Sequence, residues 1–412
     1  ASKAFREALS GLVDGLYGQF VSDIAQLREV KNARVQELVD QGPYTASGAV
    51  DAGLVDEVAN FPDLEERLQE ETDGRFHLKE EYKKKTPQPP SVGGPQALFQ
   101  MFTGQKQEDE IDVKSRNAVA LIYAVGPVIR REPGDLELGQ YVTSAAVLRE
   151  VVNRVQKRDD IKAVVVRIDS PGGSSLASEI IWDEIRELNE TKPVIASMSD
   201  TAASGGYYIA SAARTIVAHP GTITGSIGVV GGKFVLKGLY EKLGLNVESF
   251  ERGAHASILS SAEPFSKSEK QQMMKLLRDT QEIFLERVAE GRGKKVEEIR
   301  SAAQGRAWTG SQAMEKGLVD ELGGLDLAIQ KAREEAGIPA EKSVEIIRLP
   351  RSRSLVDLLM GKGARTSEMP SSPWPLADLP LDLERVKKCL AMLECFRNQP
   401  TAYLMPGLVR VE

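Results

Sequence analysis

The chain has 412 residues, of which 41% are hydrophobic and 27% charged, so its composition permits a buried core and excludes a disordered polymer. Its 53 Lys and Arg residues are outnumbered by 60 Asp and Glu residues, which gives a net charge of −7 and argues against nucleic acid as the main partner. Two cysteines, Cys389 and Cys395, are too few for a disulfide scaffold or a Cys-rich zinc site. The length predicts two or three folded units.

The first part of the chain has the apolar spacing of helices. Leu9, Leu12, Leu16 and Phe20 recur at helical intervals, and we predict helices over residues 1–42. Residues 76–114, which include a Pro-, Gly- and Lys-rich run, are predicted to be a linker or crossing segment. No apolar run reaches the length of about 18 residues that predicts a transmembrane helix.

Beyond this linker the pattern changes to short apolar runs that end in turn residues. Four such runs predict strands, at residues 117–129, 161–170, 192–199 and 214–220. Helical segments separate these runs, and the alternation predicts an α/β fold with a parallel sheet covered by helices on both faces. Helices are predicted again at 266–290 and 294–304, and residues 350–412 form a Pro-rich tail with a short helix around 381–396.

Two distant segments of the chain are similar to each other. DAGLVDEV at 51–58 matches EKGLVDEL at 315–322, an offset of 264 residues. Without gaps, the same offset aligns Ser2 with Ser266, Lys3 with Lys267, Phe20 with Phe284, Arg28 with Arg292, and Thr45 with Thr309. We therefore expect a duplicated protein in which the front of the first repeat is missing from this chain. The predicted organisation is the end of a first repeat (1–75), the linker (76–114), a complete second repeat (115–337) and a Pro-rich C-terminal extension (338–412).

The motif DSPGG, Asp169 to Gly173, follows a predicted strand and precedes a predicted helix. Adjacent glycines let backbone N–H groups approach a ligand at a helix N-terminus, where the helix dipole favours negative charge. This arrangement suits an oxyanion hole. Taken alone, the motif is more typical of an ordinary strand-to-helix turn.

Two further motifs place serine hydroxyls in tight turns. In TAASGGYY, Ser204 lies between a predicted strand and a helix, as in a nucleophile elbow, and a helix N-cap serine is the alternative. In TGSIG, Ser226 lies in a Gly-flanked loop, for which a plain turn is the alternative. Together with DSPGG, these motifs bring backbone donors and two hydroxyls to the carboxyl ends of successive strands, where open α/β sheets build their sites.

A serine nucleophile needs a general base. His219 and His255 are candidates, but neither has an evident acidic partner in the sequence. A Ser–Lys dyad is the other option, because desolvation lowers the pKa of a lysine towards neutrality.

In this order and spacing, DSPGG, AASGGYYIA and TGSIGV resemble the signal peptide peptidase A (protease IV) family of serine–lysine peptidases. The resemblance covers 115–337, with 1–75 as the end of the duplicated half, and it implies crotonase- or Clp-protease-like repeats. It also implies Ser204 as the nucleophile, Gly172 and Gly205 near the oxyanion hole, and Ser226 as the hydroxyl that holds the lysine.

The same resemblance sets expectations for cofactors, partners and location. It implies no metal or cofactor, extended apolar peptides such as cleaved signal peptides as substrates, and a bowl-shaped homo-oligomer. It further implies membrane association through a segment outside this chain. The expected location is the periplasmic side of the bacterial inner membrane, or the thylakoid membrane in a plant or alga.

The chain departs from the family pattern at the general base. In single-repeat members the lysine lies in the loop that here reads ERGAHASILSSAEP, at about Ala256, and this loop contains no lysine. In duplicated members the first repeat supplies the lysine, from a loop that would precede Ser2. Lys3 does not replace it, because Lys3 aligns with Lys267. We therefore expect this chain to be weakly active or inactive by itself.

Two other functions remain open from the sequence. A crotonase-type acyl-CoA enzyme shares the fold and the oxyanion-hole glycines, but it would need acid–base groups in its pocket where AASGGYY offers a serine. A catalytically silent interaction subunit is favoured by the missing lysine.

Overall fold

The computed structural model describes residues 2–59, 61–72, 117–130, 142–350 and 401–404. The chain divides into two compact units, one formed by residues 1–58 with 117–412 and the other by residues 59–116. Helices lie at Lys3–Leu27 (α1), Asn32–Gln41 (α2), Ala46–Asp51 (α3), Phe61–Glu71 (α4), Ala145–Gln156 (α5), Ser175–Thr191 (α6), Gly205–Ser211 (α7), Lys237–Lys242 (α8), Lys267–Arg292 (α9), Val296–Arg300 (α10), Gly310–Glu315 (α11) and Leu325–Glu335 (α12).

Strands lie at Ala118–Val125 (β1), Val128–Ile129 (β2), Thr143–Ser144 (β3), Ile161–Ser170 (β4), Gly172–Ser174 (β5), Val194–Ala203 (β6), Thr215–Ala218 (β7), Ile223–Gly225 (β8), Val230–Gly231 (β9), Ala307–Thr309 (β10), Glu321–Leu322 (β11), Glu345–Leu349 (β12) and Thr401–Leu404 (β13). In the second unit, the described residues consist of Ala59 and of residues 61–72, which contain α4.

The main sheet has the strand order β10-β8-β6-β4-β1-β12, and β7 pairs with both β6 and β11. All of these pairs are parallel except β10 with β8. Its central strands β1, β4 and β6 are apolar over most of their length, as is typical of a sheet buried on both faces. The predicted α/β fold with a parallel sheet is confirmed.

Helices cover the two faces of this sheet. On one face, Ala328 and Ala332 of α12 pack against Val119, Leu121 and Val165 of the central strands. On the other face, α5 and α6 enclose a small apolar cavity against β1 and β4, lined by Ile122, Leu148, Val152, Val166, Ile181, Glu184, Ile185 and Leu188. Alternate side chains of the same strands therefore enter two separate cores.

Glu184 is the one acidic side chain lining that cavity. Its effect on the free energy of unfolding depends on pH. Burial raises the pKa of Glu184 to about 7, although the guanidinium of Arg149 lies 3.0 Å from its carboxylate. A raised pKa means that the fold favours the neutral carboxyl, so stability is lost as pH rises from about 4.5 through about 7. Glu184→Gln is therefore expected to raise the free energy of unfolding by about 1–3 kcal/mol at pH 8 and by much less at pH 4.5.

Thermal or denaturant unfolding at both pH values measures this effect. Glu150→Gln, on the exposed side of α5, is the matched control and should change stability little at either pH. Equal effects of Glu184→Gln at pH 4.5 and pH 8 would contradict the assignment.

The similar segments detected in the sequence form the same series of helices. The helices α1 to α4 begin 264 residues before α9 to α12, pair by pair. Ser2 and Ser266 cap their helices in the same way, as do Thr45 and Thr309. The ion pairs repeat as well, because Arg28 bonds Asp56 and Arg292 bonds Asp320. This correspondence supports a duplication, and the domain boundaries stay a prediction.

The two copies differ in what covers them. In α9, Leu276 and Phe284 are buried, and the ring of Phe284 lies 4.7 Å from that of Tyr208 on α7. At the corresponding positions of α1, Leu12 is 58% and Phe20 51% exposed. One apolar pattern is thus buried in the second repeat, where α7 lies against it, and solvent-exposed in the first.

Several predicted elements are changed in the structure. The strand predicted over 117–129 is broken into β1 and β2 at Gly126, whose φ is 83°. The strand predicted over 192–199 begins at Val194 and continues to Ala203, whereas the helices predicted over 1–42 are present as α1 and α2. These differences have a common cause, because backbone conformation at turn residues is decided by neighbouring strands rather than by local apolar spacing.

The predicted C-terminal extension contributes strands to the body. Strand β12 lies at one edge of the main sheet, parallel to β1, and β13 belongs to a second sheet. Such short strands carry a weak sequence signal, since their pairing partners lie far away in the chain. The linker predicted at 76–114 and the helix predicted around 381–396 lie outside the described residues. None of the helices in the described ranges combines the length and apolarity needed to cross a bilayer.

Candidate active site

Ser204 occupies a strained turn between β6 and α7. Its φ is 53° and its ψ −116°, a conformation that non-glycine residues rarely adopt and that is often found at functional sites. Its hydroxyl accepts no capping hydrogen bond from α7. Ser204 is thus the N-cap residue of α7 by position, but its side chain does not cap the helix, and its backbone has the geometry of an elbow.

Backbone hydrogen bonds hold this elbow in place. The Ser204 N–H donates to the carbonyl oxygen of Gly225 over 2.8 Å, and the Ser204 carbonyl accepts from the N–H of Tyr208 over 2.8 Å. The Ser204 hydroxyl donates to the carbonyl of Gly228 over 3.4 Å, and the residue is completely buried. Neighbouring strands and the first turn of α7 therefore fix the position of the hydroxyl.

The structure brings Ser226 next to Ser204. Strands β6 and β8 are parallel with Ala203 paired to Gly225, and the two serines follow directly on this pair. Ser226 also has a positive φ, 49°, and its hydroxyl donates to the carbonyl of Gly305 over 3.4 Å. The two hydroxyls thus lie at the carboxyl ends of adjacent strands, as their motifs indicated.

The glycines of DSPGG pack against the elbow. A Cβ atom on Gly205 would lie 2.6 Å from the hydroxyl of Ser178 and 3.1 Å from both the Cα of Gly172 and the N of Gly173. Gly172 itself has φ 101°, which requires glycine, and its N–H donates to the Ser170 hydroxyl over 3.2 Å. Gly172, Gly205 and Ser204 therefore converge, and the oxyanion-hole role of the two glycines stays a prediction.

Neither candidate histidine forms a hydrogen bond with Ser204 or Ser226. The Nδ1 of His255 lies 3.0 Å from the carbonyl of Gly42 and its Nε2 lies 2.8 Å from the hydroxyl of Ser268. The Nδ1 of His219 accepts from the N–H of Gly221. These contacts are with groups other than Ser204 and give no support to a Ser–His–Asp triad.

The loop around Ala256 forms its contacts with residues other than Ser204. Ala256 is exposed, and the neighbouring N–H of Ala254 donates to the carboxylate of Asp40 over 2.7 Å, in the first repeat. The nearby Lys233 donates to the carbonyl of Ser257 and lies 4.6 Å from the centre of the Phe265 ring. Within the described ranges, no hydrogen bond joins a lysine to Ser204.

Two parts of the site were missed in the sequence. The carbonyl of Gly228 accepts from the Ser204 hydroxyl, and a backbone acceptor has no side-chain signal. The Ser178 hydroxyl, which donates to the carbonyl of Ser174, lies against Gly205, and its place on a helix gave no hint of this contact. Asp169 of DSPGG accepts from the N–H of Thr201 and so joins β4 to β6, while burial raises its pKa.

No group of three or more His, Cys, Asp or Glu side chains in the described part of the chain is arranged to hold a metal ion. The residues that meet at the elbow are hydroxyls, glycines and backbone amides. Their chemistry is that of acyl transfer through a serine, provided that a general base is supplied.

Comparisons with known proteins agree with this chemistry. The chain is 38% identical over 366 residues to the chloroplastic serine protease SPPA of Arabidopsis thaliana, covering 87% of this chain and 51% of that protein. It is 37% identical to a putative protease of Synechocystis sp., covering 55% of this chain and 81% of the relative. It is 32% identical to Protease 4 of Salmonella typhi, covering 81% and 52%.

The chain spans about half the length of the Arabidopsis and Salmonella relatives, since 51% and 52% of those proteins are covered. The model of peptidase family S49 matches residues 1–74 and 186–339, which include Ser204, Gly205 and Ser226. The matched segments also contain both copies of the repeated helices. The chain belongs to peptidase family S49.

Proposed function

We propose that this chain carries the nucleophile of a serine–lysine endopeptidase that cuts extended apolar peptides, such as cleaved signal peptides, at a membrane. The observation that carries the proposal is the left-handed, buried elbow of Ser204 beside Ser226. Strained backbone at an otherwise regular strand–helix junction is typical of a serine that must present its hydroxyl to a substrate. Membership of family S49 supports a peptidase.

In the proposed reaction, a neutral lysine takes the proton of the Ser204 hydroxyl as Oγ attacks the peptide carbonyl carbon. The carbonyl oxygen becomes an oxyanion, which backbone N–H groups near Gly172 and Gly205 stabilise. The lysine returns the proton to the leaving amine, and an acyl-enzyme forms on Ser204. Water, deprotonated by the same lysine, then releases the acyl group, and the Ser226 hydroxyl holds the lysine in position. This mechanism uses no metal or cofactor.

We place the lysine outside this chain. The loop at Ala256, where single-repeat relatives would carry it, has no lysine and is bonded to the first repeat through Asp40. The exposed apolar face of α1, with Leu12 and Phe20 where α9 has buried Leu276 and Phe284, supports a further protein segment against the first repeat. The same face supports assembly into a homo-oligomer.

The location is part of the proposal. We place the protein at a membrane, either at the bacterial cell envelope on the periplasmic side or at the thylakoid. The similarity to a relative named as chloroplastic supports the thylakoid alternative. Attachment is expected through a segment outside this chain.

Turnover of a fluorogenic leucine-rich peptide tests the proposal. The present chain is compared with a longer form that adds a first-repeat segment containing the lysine loop, each with and without Ser204→Ala. Hydrolysis by the longer form alone, lost in its Ser204→Ala variant, is the expected result. If neither form hydrolyses the peptide, the result would instead favour the interaction subunit. If the protein turns over CoA esters and does not react with serine-directed phosphonates, the result would favour the acyl-CoA enzyme.

A further inference from the structure

Helix α7, which begins directly after Ser204, is joined to two neighbouring helices by a hydrogen-bonded network. Tyr208 of α7 is completely buried, and its hydroxyl donates to the carboxylate of Glu179 on α6. The same carboxylate accepts two hydrogen bonds from the guanidinium of Arg287 on α9, over 3.0 and 2.8 Å. One carboxylate therefore joins three helices, and we call Glu179, Tyr208 and Arg287 the three-helix network.

Two further residues extend this network to the end of α7. The guanidinium carbon of Arg287 lies 4.7 Å from the centre of the buried Trp182 ring, a distance typical of a cation–π contact. The Nε1 of Trp182 donates to the hydroxyl of Ser211 over 3.2 Å. That hydroxyl donates to the carbonyl of Tyr208 over 2.7 Å. Helix α7 is thus held to α6 at Tyr208 and again at its last residue.

The network reaches the Ser204 elbow by two routes. The N–H of Tyr208 donates to the carbonyl of Ser204 over 2.8 Å. Glu179 directly follows Ser178 in α6, and the Ser178 hydroxyl would lie 2.6 Å from a Cβ on Gly205. A shift of α7 against α6 therefore displaces Ser204 and the N–H of Gly205 together. A displacement of about 1 Å at reacting groups costs on the order of 10²-fold in rate.

The repeated helices indicate that this network belongs to the nucleophile rather than to the helix itself. At the offset of 264 residues, α1 keeps Phe20 where α9 has Phe284. It has the exposed Asp23, however, where α9 has Arg287. Helix α1 still forms over 25 residues with an acidic side chain at this position. The positive charge is therefore found in the copy that packs against α7, and the helix forms without it in the other copy.

We propose that the three-helix network positions α7, and through it the Ser204 hydroxyl and the Gly205 N–H, for the reaction. This inference rests on the proposed peptidase function, because its main readout is the rate of acyl transfer. The three side chains act through the elbow and exchange no proton with the substrate. Their loss should therefore lower kcat and leave KM nearly unchanged, as for an interaction that matters only in the transition state.

Tyr208→Phe in the longer, lysine-containing form tests the proposal, since it keeps the buried ring and removes the hydroxyl. The kcat for a leucine-rich peptide is divided by the concentration of sites that react with a serine-directed phosphonate, so unfolded protein does not count. We expect kcat per reactive site to fall about tenfold, with KM changed by less than about twofold. Glu179→Gln should have the same effect. The double variant should also lose about tenfold rather than about a hundredfold, because both changes break one network.

Tyr207→Phe is the matched control. Tyr207 is the neighbouring and equally buried tyrosine of α7, but its hydroxyl donates to the carbonyl of Leu318, over 2.8 Å. Its loss should lower the melting temperature by about 2–4 °C and leave kcat per reactive site within about twofold. An equal fall of kcat in Tyr207→Phe and Tyr208→Phe would overturn the proposal. A lowered melting temperature with unchanged kcat in Tyr208→Phe and Glu179→Gln would overturn it too, because the network would then only stabilise the fold.

Hydrogen exchange separates this inference from the proposed function, since it needs no activity. In the present chain, the amides of Ser204 and Tyr208 should exchange about tenfold faster in Glu179→Gln, with those of β4 unchanged. Glu282→Gln, which breaks an exposed pair with Arg300 on the same helix α9, should leave them unchanged. If exchange changes as expected and no form hydrolyses the peptide, the network holds α7 as inferred and the peptidase proposal fails. If the longer form is active and Glu179→Gln changes neither exchange nor kcat, the peptidase proposal stands and the positioning network fails.

Discussion

Replacing Ser204 with alanine is expected to lower kcat/KM of the longer, lysine-containing form for a leucine-rich peptide by a factor of about 10⁴ or more. The loss follows because no other group at the elbow can form the acyl-enzyme. The melting temperature should change little, since the Ser204 hydroxyl contributes only one long hydrogen bond, of 3.4 Å to Gly228. Steady-state kinetics and thermal unfolding of the same preparations measure both effects.

Ser204→Gly provides the matched control for this prediction. Alanine keeps the strain of φ 53°, whereas glycine adopts this conformation without cost. The glycine variant should therefore be as inactive as the alanine variant and more stable than it by about 1 kcal/mol. Full activity in either variant would exclude Ser204 as the nucleophile. Equal stability of the two variants would contradict the strained elbow.

Gly205→Ala is expected to destroy the site by overpacking. The added Cβ would lie 2.6 Å from the Ser178 hydroxyl and 3.1 Å from the backbone of Gly172 and Gly173. The hydroxyl can rotate, but the backbone of β5 is held by its pairing with β2 and β13. We expect a loss of about 1–3 kcal/mol in the free energy of unfolding and at least a 10²-fold loss of activity in the longer form.

Two further variants make this prediction specific. Gly205→Ala combined with Ser178→Ala removes the shortest contact and should recover part of the stability, but not the activity, because the contacts with β5 remain. Gly238→Ala, in α8, meets nothing within 4 Å and should leave both quantities nearly unchanged or raise stability slightly. If Gly205→Ala behaves like Gly238→Ala, the close approach of β5 to the elbow is wrong.

Sequence patterns predicted those structural features that depend on residues close together in the chain. The apolar runs at 161–170 and 192–199 predicted central parallel strands, because a strand buried on both faces is apolar over most of its length. The motifs around Gly172, Ser204 and Ser226 attracted attention because glycines and hydroxyls stand at strand ends, whereas the roles of Ser204, Ser226, Gly172 and Gly205 came from the family resemblance and stay predictions. The offset of 264 residues predicted helices whose first residues correspond pair by pair.

Long-range pairing decided what these patterns left open. The C-terminal strands β12 and β13 were missed, since each is short and pairs with residues far away in the chain. That no lysine or histidine among the described residues hydrogen-bonds Ser204 also needed the structure, because the contacts of His219 and His255 are not visible in the sequence. Likewise, Phe20 is exposed and the equivalent Phe284 is buried, because the two helices differ in what packs against them.

The sequence by itself thus determined the parallel α/β class, the repeated helices and the residue types from which a serine site is built. These follow from side-chain periodicity and from the conformational freedom of glycine, which act over a few residues. Only the tertiary structure decided that Ser204 adopts a left-handed elbow, that Ser226 lies beside it, and that residues 401–404 pair with β5 and β9. Those features arise from backbone hydrogen bonds between distant strands, whose register no local pattern encodes.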